Sequence, residues 1–198
     1  MGLMAKSSGE DYVLPPEDIH NAVCIGVWEL GRLQTQYGIK HQVYLRFEID
    51  AQQEDGKRYQ VGRKYSPSLH EKATFRQLLE SWSGAKLTKE AAKAGYDVLR
   101  LLGKPCQLQV IYADYDGKTY ANVGSVTKLG KGMAALKPSV PLSSFTFEDN
   151  GKTIPESVPE WIKKIIMSTV NWQSIKEGAS QDNEPEYAPD EDPNSIPF

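Results

Sequence analysis

Cysteine and histidine are scarce in this chain, with two of the former and three of the latter among 198 residues. Cys24 and Cys106 stand far apart in apolar runs, which excludes a disulfide framework and makes both small core residues. His20, His41 and His70 have no metal-ligand spacing with the cysteines or with one another, so neither a metal nor a cofactor is expected. No apolar run approaches the roughly 20 residues that cross a bilayer, and no secretory leader is visible. The chain therefore reads as cytoplasmic, with reduced thiols and no membrane contact. Gly-Lys-Thr occurs at 117–119 and at 151–153, but Tyr112 and Thr146 stand where a phosphate loop needs its first glycine. Glu48, Asp50, Glu54, Asp55, Asp114 and Asp116 fall mostly at strand ends and turns, where exposure and turn chemistry account for them. A metal-dependent nuclease site, and with it an enzyme, is not the reading adopted.

Positive charge is missing altogether from residues 178–198, which carry six acids (Asp182, Glu184, Glu186, Asp190, Glu191 and Asp192) and no Lys, Arg or His. Such a run is a disordered, solvated tail rather than a packed element. The whole chain has a net charge of -3, yet residues 1–177 hold 23 basic against 20 acidic side chains, or +3. That change of sign points to an anion-binding body with an acidic appendage. At its end the tail runs Asp190-Glu191-Asp192-Pro193-Asn194-Ser195-Ile196-Pro197-Phe198. Solubility alone needs no ring, so Asp190, Glu191, Asp192, Ile196, Pro197 and Phe198 are read as a partner-binding peptide.

What is present in the body is mostly strand. Residues 1–18 are polar and carry Pro15-Pro16, which suits a flexible arm. Residues 21–30 are almost continuously apolar, a buried first strand bounded by Gly31, with a bend or bulge at Gly26. Over 41–50, Val43, Leu45, Phe47 and Ile49 alternate with Gln42, Tyr44, Arg46 and Glu48, giving one apolar and one polar face. The turn Glu54-Asp55-Gly56-Lys57 leads into a third strand, 58–66, in a hairpin with the second. Ser68 and Glu71 read as a capping box for a helix with Phe75, Leu78, Leu79 and Trp82 on its apolar face, closed by Gly84. A short helix over 88–94 ends at Gly95, and 98–102 reads as a plug for an apolar opening. Strands over 106–115 and 119–128 follow. A basic loop, 128–137, precedes a helix capped at Ser157 and carrying Trp161, Ile162, Ile165 and Ile166 on one face.

Three strands, helical material and two strands is the order of a mainly β, five-stranded OB-fold barrel with helices between strands three and four. The expected organisation is an arm (1–18), the barrel (19–137), a linker and C-terminal helix packing on it (138–177), and the tail (178–198). An OB-fold binds oligonucleotides on strands two and three. Binding single strands without sequence preference combines cations that follow phosphates with rings that stack on bases, each base contributing about 1–3 kcal/mol. Tyr44, Tyr65, Tyr59 and Trp28 are candidates for stacking, and Arg46, Arg58, Arg63 and Lys64 for phosphates. Tyr112, Tyr115 and Tyr120 are second choices, while Trp82 and Trp161 read as core. The modest body charge predicts only moderate weakening by salt.

The tail resembles the acidic C-terminal peptide of bacterial single-stranded DNA-binding proteins, which ends in acids followed by Ile-Pro-Phe. The runs 37–45, 64–72 and 102–106 look like a group of phage and prophage single-stranded DNA-binding proteins with an OB-fold, a likeness covering most of residues 20–130. This resemblance implies protection of single-stranded DNA in replication, recombination and repair, in the bacterial host cytoplasm, and recruitment of a polymerase, helicase, primase or nuclease by the tail. No DNA-contact residue is carried over from it; those named above come from alternation and residue type. Spanning about 25 Å as a flexible coil, the tail can reach its own groove. It is expected to compete there with DNA and, once displaced, to offer Ile196-Pro197-Phe198 to partners. The alternative is a non-enzymatic OB-fold adaptor that binds protein; a homo-oligomer formed through the C-terminal helix is the less favoured use of that element.

Overall fold

The computed structural model describes residues 13–35, 38–151 and 153–177. Strands β1 (Ile19–Thr35), β2 (Gly38–Gln52) and β3 (Arg58–Tyr65) form an antiparallel meander. Helices α1 (Thr74–Ser83) and α2 (Lys89–Ala94) and a 3-10 turn (Val98–Leu101) separate it from the hairpin of β4 (Pro105–Tyr115) and β5 (Lys118–Thr127). Then come β6 (Ser143–Phe145), α3 (Phe147–Asn150), α4 (Glu160–Met167) and α5 (Val170–Glu177). The ladder order is β3-β2-β1-β4-β5, and β6 lies parallel to β1 at residues 26–28.

Alternation decides the main core. Val43, Leu45, Phe47 and Ile49 are buried, and with Val61, Cys106, Leu108, Val110 and α1's Phe75, Leu78, Leu79 and Trp82 they form one apolar cluster. Each fully buried side chain of this kind contributes about 1.5–3 kcal/mol. Residue 26 is indeed a bulge: the β1–β2 register shifts between Cys24 and Gly26. The glycine is needed there because the Trp28 ring folds over it, and an added Cβ would lie 2.3 Å from that ring.

Several expectations are corrected. Gly31 does not end β1, which runs on to Thr35 through a second register shift between Glu29 and Gly31. Ser68 does not cap α1: its hydroxyl accepts from the His70 N–H in a local turn, and the helix begins six residues later, at Thr74. Ser157 caps nothing either, because its carbonyl and hydroxyl face Ser143 Oγ at 2.9 and 3.3 Å, and α4 starts after Pro159. The single C-terminal helix is two, broken at Ser168-Thr169, where both hydroxyls turn back to Ile165 and Ile166 carbonyls. Residues 138–177, expected to be a linker and a helix packing on the barrel, do pack on the sheet, but the linker takes part as well: Phe145, Phe147, Val158, Ile162, Ile166 and Trp172 form a second apolar cluster against Trp28 and Leu30 of β1.

The sheet is open along its ladders: among the described residues no ladder joins β3 to β5. Between these two edges lies a cavity of about 180 Å³ bordered by Arg63, Tyr65, Leu78 and Val126, and Arg63 Nη1 donates across it to the Val123 carbonyl at 3.0 Å. A long side chain does what strand pairing does elsewhere in the sheet.

Candidate nucleic-acid interface

The outer face of β2 carries Tyr44, Arg46 and Glu48, paired with Lys64, Gly62 and Gln60 of β3. Alternation made this face polar and so apparently free, yet much of it is covered. Glu48 is wholly buried: Arg58 Nη1 donates to it at 2.7 Å, and the Ser139 N–H and hydroxyl donate at 3.0 and 2.8 Å. Arg58 also donates to the Lys137 carbonyl, so the cation expected to meet phosphates ties the segment after β5 down onto the sheet.

Tyr44 is half-buried between two tryptophans. Trp28 stacks on it at 6.1 Å and 27°, while Trp161 of α4 stands edge-on at 5.0 Å and 81°. Its ring rests on Gly62, where a Cβ would approach to 2.4 Å, so the strand partner has no side chain for a physical reason. Trp161 is 41% exposed. The expectation that it belongs to the core is wrong, because Ile162 and Ile166 point to the sheet and Trp161 sits about 100° round the helix from the first and about 140° from the second. Lys64 faces Tyr44 from β3 and is half-buried, which pushes its ammonium below the ordinary lysine range. The structure thus brings together Trp161, Tyr44, Lys64 and Arg46, two rings and two cations on one surface.

Other candidates fall elsewhere. Trp28 is buried with its indole N–H donating to Ser143 Oγ at 3.0 Å. Tyr59 and Tyr65 point into the main core, since β3 alternates the opposite way from a DNA-facing reading. Arg63 lies over the Tyr65 ring at 5.4 Å and is held by Val123. Tyr112 donates its hydroxyl to the Pro15 carbonyl, and its N–H is accepted by Glu17, so residues 13–18 of the arm lie along β4. Tyr115 and Tyr120 are 48% and 42% exposed and share a face of the β4–β5 hairpin with Ile111 and Lys118. Asp190, Glu191, Asp192, Ile196, Pro197 and Phe198 lie outside the described residues.

Among the described residues, no group of three or more His, Cys, Asp or Glu side chains could hold a metal ion. Asp50 faces His20 Nδ1 at 3.2 Å, Asp55 pairs with Lys57 at 2.7 Å and Asp114 accepts from Thr119 at 2.6 Å. No helix of the described residues is long and apolar enough to cross a membrane. No family model matches the chain, and no curated protein matches it.

Proposed function

We propose that this chain is a sequence-independent single-stranded DNA-binding protein on an OB-type barrel, with an acidic C-terminal tail that recruits replication or repair proteins. The observation that carries the reading is Trp161, an exposed indole set edge-on against Tyr44 with Lys64 on the adjoining strand. Rings for bases and cations for phosphates on one surface are what such binding requires. Supporting it is the strand order, with helices between β3 and β4, which is that of a five-stranded Greek-key barrel. Arg63 also links β3 to β5, the two edges that such a barrel would have to join. Compared with the sequence-based contact set, the revised one is Trp161, Tyr44, Lys64 and Arg46, with Tyr115 and Tyr120 on the β4–β5 hairpin as a second platform.

Fluorescence titration with poly(dT) tests it. Trp28, Trp82 and Trp172 are each at least 92% buried, so quenching by stacked bases is expected from Trp161. Trp161→Ala should remove the quench and weaken binding by about 1–3 kcal/mol, roughly 5- to 150-fold. A full chain that neither quenches nor binds labelled oligo(dT) would sink the reading in favour of a protein-binding adaptor.

A further inference from the structure

A cavity of about 470 Å³ opens on the helical side of the molecule, within the size range of ligand pockets, about 300–1,000 Å³. Leu79, Trp82, Leu87, Leu101 and Pro105 make an apolar lining, with Tyr96 beside them. Trp82 is locked in place, since its indole N–H donates to the Pro105 carbonyl at 2.9 Å. Two exposed cations, Arg100 and Lys104, border the same cavity. The carboxylate bordering it, Glu80, is already neutralised: Lys86 Nζ lies 2.7 Å from one oxygen, and the other accepts from Arg76 Nε and the Leu87 N–H at 3.0 and 3.1 Å. Asp97, next to Tyr96, is exposed and accepts from the Leu99 N–H at 3.0 Å, so the two cations outnumber the one carboxylate near the rim that has no cation of its own. An apolar slot with net positive charge at its mouth selects a peptide that is apolar at one end and acidic beside it.

The chain supplies such a peptide. Residues 178–198 lie beyond the described structure and end with three acids, a three-residue spacer and Ile-Pro-Phe. We infer that this cavity is the intramolecular docking site of residues 190–198, with Ile196 and Phe198 in the apolar slot and Asp190, Glu191 and Asp192 against Arg100 and Lys104. Reach is sufficient: the 21 residues after Glu177 extend to about 70 Å at most and span about 25 Å as a coil, against a diameter of about 40 Å for a domain of this size. The outer face of β2 offers no comparable slot, because residues 137–172 cover its Glu48 end and what stays open around Tyr44 and Trp161 is a surface of rings and cations rather than a cavity. Docking here does not depend on nucleic-acid binding. It would keep Ile-Pro-Phe from other proteins until something stronger draws it out.

The test uses the full chain with Ser195→Cys carrying a nitroxide label; Cys24 and Cys106 are buried and escape labelling. Amides of residues 82–87 and 96–104 should lose most of their NMR intensity. That loss should be reversed by Arg100→Glu with Lys104→Glu, two exposed positions whose exchange leaves the core intact, and by Ile196→Ala with Phe198→Ala. Losses centred on Tyr44 and Lys64, or no localised loss, would overturn the proposal. So would losses that persist when only an isotopically silent copy carries the label, since the tail would then belong to a second molecule.

Discussion

Glu48 sits at zero exposure with three donors around it, and only one of them, Arg58, carries a charge. Arg58→Ala leaves that carboxylate buried with Ser139 alone, which should lower stability by about 3 kcal/mol in chemical denaturation. A loss under about 1 kcal/mol would mean that the pair is effectively solvated, in the range of surface ion pairs. The strand pattern put Glu48 on the polar face of β2 and offered Arg58 to phosphates, but it carried no signal that the two would pair or that residues 137–139 would close over them. The cysteines were legible from apolar neighbours alone. Burial pushes the Cys24 thiol up to about 12 and raises that of Cys106 as well. At pH 8 neither should react with a thiol reagent in the folded protein, and both should react in denaturant; rapid reaction of either in the native state would contradict their burial.

At the scale of elements, α1 and the loop after it are joined through Glu80, whose carboxyl Lys86, the Leu87 N–H and Arg76 hold down at about 2. A group whose folded-state pKa is depressed contributes stability above its unfolded value, about 4.3 for glutamate, and that contribution fades as pH falls toward about 2. Glu80→Gln should therefore lower the melting temperature at pH 7 and make no difference near pH 2. An offset independent of pH would show that the charge is not what matters. α1 itself was readable from its apolar spacing and its Gly84 end, whereas its start was not. Ser68 has the residue type of a cap, but its hydroxyl is taken by a nearer N–H. β6 escaped sequence reading because three residues give no period. Its Phe145 is nonetheless fully buried, and Phe145→Ala should cost about 3–5 kcal/mol. A cost below about 1 kcal/mol would mean that residues 138–177 are peripheral after all.

For the whole molecule, both apolar clusters are built on β1, the inner through Cys24 and Val27 and the outer through Trp28 and Leu30. Body charge and covered cations together set the expected salt response. With Arg58 and Arg63 committed to internal partners, few phosphates can be neutralised. The log–log slope of oligo(dT) affinity against salt should be shallow, about -2, as for roughly three contacts on a single strand. A slope several times steeper would move the binding surface away from Tyr44 and Trp161.

By itself the sequence determined the five long strands, the hairpin phases, the presence of α1 and α2 and the polarity of tail against body, because each is written in spacing of two or of three to four residues and in local charge. Only the tertiary structure decided which polar face stays open. Covering is a property of segments distant in sequence, and residues 137–172 return over β1 and β2 to bury Glu48 and Trp28 while leaving Trp161 in water.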